Sequence, residues 1–484
     1  MSPIPSSSKS SDTNNTGYKN DCQSIDCERL HDYDPAECKL SGGLPCHACS
    51  RLAELDAEIS TTHARLAALA RQRLSLKIEV NDIHDPISNR LPPELISKIF
   101  CLYVLGNRKE SCPPVASPGH RKLLPAPFLL ASICRTWREI ALSTPNMWTS
   151  INIYVGSAVD ILPASRMVKA WTAHSAQLPL TLKVEFSENV DQSQTNREMA
   201  SHLFTEVRKV SARWYHLILH IHSSYYASLT DDIEGTPLLE ALQLDPVSDP
   251  DQVLQPFVLL NSPQLIHLDV SYHLLSQIAV RFDNLAYFKG HFFFEKEVLM
   301  ILSSANRLVD CRISDLVSDP KREPFEGFLV HQSLKELVVG PEGDTFSPEK
   351  EILFDKISTP SLESLSLDFS LSGSYGLPTA SLVSFFARSQ CQLKHVGLLN
   401  YDHHLQGSND VLIELLEGIP TLESVLITAS METSDLFSDA LLQRLTLAGR
   451  IFSANDIHTF PLQPQLKVTF LEPDVFPSAD RFQF

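Results

Sequence analysis

The 484-residue chain is 43% hydrophobic and 20% charged, the balance of an ordinary globular protein, with enough length for two or three domains and a sizeable core. Its formal net charge of -18, with no compensating basic stretch, argues against a nucleic-acid role built on phosphate neutralisation and favours a protein partner. No window approaches the roughly 18 uninterrupted apolar residues of a membrane span, and the opening MSPIPSSSKSSDTNN lacks the apolar core of a signal peptide. The expected location is the cytosol, the nucleus or both, with neither nucleic acid nor membrane as partner.

Residues 1–50 read as a disordered tail, rich in Ser, Asp, Asn, Thr and Lys and almost without periodic apolar content. Half of the ten cysteines fall here, which is no secreted disulfide framework. Cys46 and Cys49 have the spacing of half a zinc site, but Cys22, Cys27 and the solitary Cys38 supply no regular second half. Reduced, unligated thiols are expected, and no cofactor.

Over 51–85 the texture changes. Leu52, Leu55, Ile59, Thr62, Leu66, Leu69, Arg73, Leu76, Val80 and Ile83 follow alternating three- and four-residue steps, one seam of a long amphipathic, coiled-coil-like helix. From Leu52 to Ile83 it would run about 48 Å. Two readings stand open: a homodimer through residues 52–83, or a helix folded back on its own chain. The flanking Asp56, Glu58, His63, Arg65, Lys77 and Glu79 are mixed in sign and choose neither. Asp85-Pro86 ends the helix.

Residues 88–150 form a small helical unit. Pro92 and Pro93 suit a helix's first turn, where a missing N–H costs nothing, and Glu94 complements its positive end. Leu95, Ile99 and Leu102 share one face, and Ile96, Phe100 and Tyr103 widen the stripe. A second run begins after Pro127, with Leu130, Ile133, Cys134, Trp137 and Ile140 on its inner side, and Ser143-Thr144-Pro145 ends it. The unit holds more apolar residues than its own core can use.

Leu91-Pro92 with Glu94, Ile96 and Ile99-Phe100, followed by Cys134-Arg135-Thr136-Trp137-Arg138 and Trp148, resembles an F-box. The wording LLASICRTWREIALSTPNMWTSINI is similar to the F-box proteins abundant in mushroom-forming fungi. The stretch from Gly106 to Pro125 departs from that family, being longer than its usual helix connection. The plain alternative is a helical hairpin inside a larger fold. The resemblance implies docking of the small adaptor subunit of an SCF-type cullin-RING ubiquitin ligase, and through it the cullin. Leu91, Pro92, Leu95, Ile96, Ile99, Phe100 and Trp137 match the positions by which the family makes that hydrophobic interface.

From 151 to 484 an apolar-x-x-apolar-x-apolar spacing recurs. Copies fall at Trp214-Leu217-Leu219, Leu239-Leu242-Leu244, Leu265-Leu268-Val270, Leu308-Cys311-Ile313, Leu334-Leu337-Val339 and Leu362-Leu365-Leu367. Others fall at Leu393-Val396-Leu398, Leu422-Val425-Ile427 and Leu442-Leu445-Leu447, with a degenerate one at Leu285-Phe288. The period fits one strand and one return per turn of an α/β solenoid, and a proline before several copies can stop a helix there. INIYV and LPLTLKV, around a helix at Ala164–His174, would cap the first repeat. The pattern resembles a divergent, irregular leucine-rich repeat, a common substrate-binding companion of an F-box. An ordinary mixed α/β domain is the alternative.

With the leucines inward, the intervening residues face solvent. The early copies then display His216, His220, Gln243, Asp245, His267, Asp269, Tyr287, Lys289, Asp310, Arg312 and Glu336. The later ones display Ser364, Ser366, Asp368, His395, Ser424 and Arg444. The first group, richer in charge and aromatic character, is the expected site for a protein substrate. No catalytic constellation emerges. His216, His220 and His222 share a strand face without a carboxylate or cysteine to complete a metal shell, His403-His404 reads as a loop, and Cys134 reads as a core thiol. The chain is expected to be no enzyme but the substrate-recognition subunit of the ligase, or else a ligase-independent scaffold using the long helix and the repeats.

Overall fold

The computed structural model describes residues 46–84, 87–106, 125–188, 190, 193–247, 254–317, 327–341, 352–370, 377–401, 415–416, 418–429, 459–460 and 467–471. The chain divides into two compact units, 1–85 and 86–484. In the first, helix α1 (His47–His84) is unbroken and begins four residues earlier than the sequence predicts. Cys49 therefore lies in its first turn, with its Sγ 3.4 Å from that of Cys46, while Cys22, Cys27 and Cys38 lie outside the described residues.

The second unit opens with helices α2 (Pro93–Gly106), α3 (Ala126–Ala131) and α4 (Arg135–Leu142), then strand β1 (Ser150–Val155), α5 (Ala158–His174), β2 (Leu180–Phe186), α6 (Gln194–Arg208) and β3 (Trp214–His220). It continues with α7 (Tyr226–Thr230), β4 (Ala241–Leu244), β5 (Phe257–Leu259), β6 (His267–Ser271), β7 (Ile278–Val280), β8 (Tyr287–Phe294), α8 (Glu295–Ser304), β9 (Asp310–Val317) and β10 (Leu329–Val330). Then come β11 (Glu336–Pro341), α9 (Leu353–Lys356), β12 (Ile357–Ser358), β13 (Ser364–Asp368), α10 (Thr379–Ser389), β14 (His395–Tyr401), β15 (Ser424–Ala429), β16 (Thr459–Phe460) and β17 (Lys467–Leu471).

The class is α/β, built on a 13-stranded sheet in the order β1-β2-β3-β4-β6-β8-β9-β11-β13-β14-β15-β17-β16. Its pairings are parallel except the last, β16 with β17. From β1 to β15 each strand of this sheet is laid beside the sheet strand before it, and β17 lies between β15 and β16. Helices make some of the returns, and the short strands β5 with β7, and β10 with β12, pair in parallel among the others.

Register explains the apolar spacing. Leu182, Leu217, Leu242, Leu268, Phe288, Cys311, Leu337, Leu365, Val396 and Val425 face one another from strand to strand, all buried. A second row two residues on runs Val184, Leu219, Leu244, Val270, Gly290, Ile313, Val339, Leu367, Leu398 and Ile427. Gly290 belongs there because a Cβ would come within 2.8 Å of the Phe293 ring and 3.0 Å of the Phe288 ring, which already fill the space. The predicted copy at Leu442-Leu445-Leu447 lies outside the described residues.

The leading leucine of six copies is fixed by a turn. The N–H groups of Leu239, Leu265, Leu285, Leu308, Leu362 and Leu422 each donate to the carbonyl three residues back, at 2.9–3.3 Å. Pro237, Pro263, Pro360 and Pro420 take the second position of four of these turns, where a φ fixed near −65° is already correct. These prolines shape turns, and where the return is a short strand there is no helix for them to stop.

Two predicted helices shift. The helix expected at Ala164–His174 starts at Ala158 and runs through Pro163. The single run after Pro127 breaks at residues 132–134, because Cys134 is extended (φ −148°, ψ 177°) and caps α4, its Sγ accepting from the Trp137 N–H at 3.4 Å. Cys134 is thus a half-buried cap and Ile133 is exposed, so neither lies on the inner face of a helix.

The helices and the sheet share one core. Trp148 is fully buried just ahead of β1, and its Nε1 donates to the Ala141 carbonyl at 2.8 Å. Its ring meets Phe128 of α3 at 5.2 Å and Trp171 of α5 at 5.3 Å, and Phe128 in turn meets Trp171 at 5.1 Å. Trp148→Ala should cost about 3–5 kcal/mol by leaving a cavity there. Urea denaturation followed by the remaining tryptophans, Trp137, Trp171 and Trp214, which all lie in this unit, should show one transition moved to lower urea; a transition that splits would contradict the shared core.

Candidate docking surfaces

Helix α2 is apolar nearly all round, and the structure divides that apolar surface in two. Ile96 and Phe100 are each 1% exposed and join Val104 in the core, and Trp137 of α4 lies on the Phe100 ring at 4.8 Å. Leu95 (45%), Ile99 (46%) and Leu102 (68%) remain exposed, with Tyr103 and Leu105 beside them in sequence. Three-four spacing puts Leu95, Ile99 and Leu102 on a common face. The expectation that Ile96 and Phe100 belong to the docking face is therefore corrected: one residue of offset turns a helical side chain by about 100°, and these two face the protein's own α3 and α4. Leu91 and Trp137 are half-buried against the core and Pro92 is exposed.

The polar side of the sheet forms a second surface. One row of cross-strand partners runs His216, Ala241, His267, Tyr287, Asp310, Glu336, Ser364, His395, Ser424, and the next contains Lys183, Gln243, Asp269, Lys289, Arg312 and Ser366. The predicted substrate-facing residues thus share one face, with two exceptions to their exposure. His216 is buried, its ring stacked on Tyr215 at 4.3 Å, and Asp310 is covered by the Arg312 guanidinium, whose Nε donates at 3.1 Å. His222 lies beyond the end of β3, where its Nδ1 accepts from the Ser224 N–H at 3.2 Å. Among the described residues no group of three His, Cys, Asp or Glu side chains could hold a metal ion. Arg444 and His403-His404 lie outside the described residues.

Charge on this face is paired within and between strands. Arg312 bridges Asp310 (3.0 Å) and Glu336 (2.8 Å), Lys289 reaches Asp269 at 3.6 Å, and His291 approaches Asp315 at 3.8 Å. His267 and Tyr287 stack almost parallel, with ring centroids 4.4 Å apart. Burial pushes the Asp269 carboxyl up, opposed by Lys289. Farther along, the Asn400 amide donates to Asp368 at 2.8 Å, and His395 and Ser424 are 2.7 Å apart.

Strict alternation missed one feature at the strand ends. Tyr272, Phe292, Asp315 and Asn400 have φ of 53–61°, each five residues after His267, Tyr287, Asp310 or His395, which lie in one register row. A left-handed residue there breaks the two-residue alternation, as in a β-bulge. Two successive side chains stay outward: His291 and Phe292 precede the buried Phe293, and Ser314 and Asp315 precede the buried Leu316. The result is a stacked pair, Tyr272 on Phe292 at 4.7 Å, with Tyr272 50% exposed. Asn400 and Asp315 are residue types that tolerate this conformation; Tyr272 and Phe292 carried no such signal.

No protein-family model matches the chain, and no curated protein matches it.

The His220–Asp245 contact, 3.1 Å across the ends of β3 and β4, gives a pH test. The hydrogen bond to Asp245 raises the imidazole's pKa, and the same bond lowers that of the carboxyl. The histidine's contribution to stability is full below its ordinary value of 6.5 and fades as pH rises through the raised folded value. The carboxylate's is full above its ordinary 3.8 and fades as pH falls through the lowered folded value. Between those ordinary values both are present. NMR titration should place the His220 midpoint above 6.5 and bring it down in Asp245→Asn; a midpoint indifferent to that substitution would remove the pairing.

Proposed function

We propose that this protein is the substrate-recognition subunit of an SCF-type cullin-RING ubiquitin ligase. In this reading the helices at 88–150 are an F-box, and the sheet with its returns is an irregular leucine-rich-repeat solenoid presenting its polar face to a protein substrate. The reading rests on one observation: Leu95, Ile99 and Leu102 lie uncovered on a helix whose opposite side is sealed. Fully burying a large apolar side chain is worth about 1.5–3 kcal/mol, so a face of three half-exposed residues gains substantially from a partner. The Leu91-Pro92 start and the family resemblance make the ligase's adaptor subunit that partner. The Trp148 cluster supports it further, since a receptor must hold its substrate at a fixed distance from a catalytic centre elsewhere for proximity to help.

The test is a pull-down with intact protein beside Leu95→Asp/Ile99→Asp, with Phe100→Ala as comparison. The double variant should keep its melting temperature and lose the adaptor subunit and cullin, with affinity down at least a hundredfold if each position is a hot spot of about 2 kcal/mol. Phe100→Ala should be destabilised by about 3–5 kcal/mol. Undiminished recovery in the double variant would overturn the docking face. Failure of the intact protein to recover any ligase subunit would favour the ligase-independent scaffold.

A further inference from the structure

The apolar seam of α1 is independent of that reading. The helix is continuous over 38 residues, and Leu52, Leu55, Ile59, Leu66, Leu69, Leu76, Val80 and Ile83 are all 41–66% exposed. A seam of about 48 Å needs a partner of matching length. Among the described residues the next longest helix, α5, has 17 residues, and its Ile161, Val168 and Trp171 are already buried in the core. A second copy of the chain supplies a helix of the right length with the same heptad.

Orientation follows from where the two polar seam residues lie. Thr62 and Arg73 are equidistant from the midpoint between Leu66 and Leu69. In an antiparallel pair centred on that midpoint, the layers are Leu52 with Ile83, Leu55 with Val80, Ile59 with Leu76, Thr62 with Arg73, and Leu66 with Leu69. Every apolar residue then meets an apolar one, and each Arg73 meets a Thr62 whose hydroxyl, already donating to the Glu58 carbonyl at 2.8 Å, can still accept. A parallel, in-register pair would instead set Arg73 against its own copy within the seam, where like charges are poorly screened. At the flanks the antiparallel register puts Asp56 opposite Lys77. It also puts Glu58 opposite Glu79, a repulsion at the solvent-exposed rim, where charge pairs are worth little. Core outweighs rim. We propose that α1 pairs with α1 of a second copy as an antiparallel two-stranded coiled coil, centred between Leu66 and Leu69.

Sedimentation equilibrium of the full chain should give twice the 54.1 kDa chain mass at micromolar concentration. Leu66→Asp/Leu69→Asp should give the monomer with the thermal transition of the 86–484 unit unchanged. Lys77→Glu should weaken the dimer about tenfold by turning two exposed attractive pairs repulsive, and adding Asp56→Lys should restore it. In a parallel pair position 56 would face Arg51, so the double exchange would set two cations together and would not restore association. A monomeric intact chain, as when the helix is covered by its own residues, would overturn the proposal. So would a dimer indifferent to the Leu66/Leu69 substitutions, or one not rescued by the exchange.

Discussion

The constraint on which the second unit depends is that no strand of its sheet can cover its own apolar residues. A strand such as β4, four residues long, presents Leu242 and Leu244 to the core, and these become buried only between Leu217 and Leu219 on one side and Leu268 and Val270 on the other. Stability in such a sheet resides in contacts between neighbouring strands more than within any one strand. Where a turn precedes the leading leucine, as at Leu239, Leu265, Leu285, Leu308, Leu362 and Leu422, it sets where the strand enters the sheet and so helps keep the two apolar rows in register. A one-residue slip would send every leucine of that strand to the polar face. The variable returns matter less, which explains why helices, single turns and short strands can serve in the same role.

The same dependence accounts for the aromatic joint. β1 is an edge strand, so the apolar residues around it need cover from outside the sheet. Trp148, Phe128 and Trp171 come from the segment before β1, from α3 and from α5, and their edge-to-face packing ties the small helices to that side of the fold. Once α3 and α4 are fixed there, they take up one side of α2. The residues they can reach, Ile96 and Phe100, become core, and Leu95 and Ile99 are left outside.

What was legible in the sequence follows from this. The leucine rows were readable because the same three-position apolar spacing, mostly of leucine, recurs many times at a near-regular interval along the chain. The continuous α1 was readable because its heptad is unbroken. The sides of α2 were not, since its apolar residues cover most of its circumference and the narrow polar side of Glu94, Ser97 and Lys98 does not say which part of the rest is covered. The strand-end bulges were half readable: Asp315 and Asn400 favour a left-handed backbone, whereas Tyr272 and Phe292 adopt it without that preference. Their outward turn also accounts for Gly290, whose place in the apolar row is filled by the ring of Phe293.

These details bear on how the sheet face would recognise a protein in the proposed reading. The face's ion pairs are already satisfied, Arg312 by Asp310 of its own strand and Glu336 of the next and Lys289 by Asp269, so a partner that broke them would gain little beyond what it displaced. Their use is orientation: they fix where donors and acceptors point and disfavour a segment whose charges oppose them. Affinity must come from surface that loses water on contact without losing a partner. On this face Tyr272 stacked on Phe292 is such a surface, because a large ring held by its neighbour has little side-chain freedom left to lose. In that reading the polar rows and the aromatic step would divide the work, and the division is set by the left-handed residue that interrupts the two-residue alternation near the end of each strand.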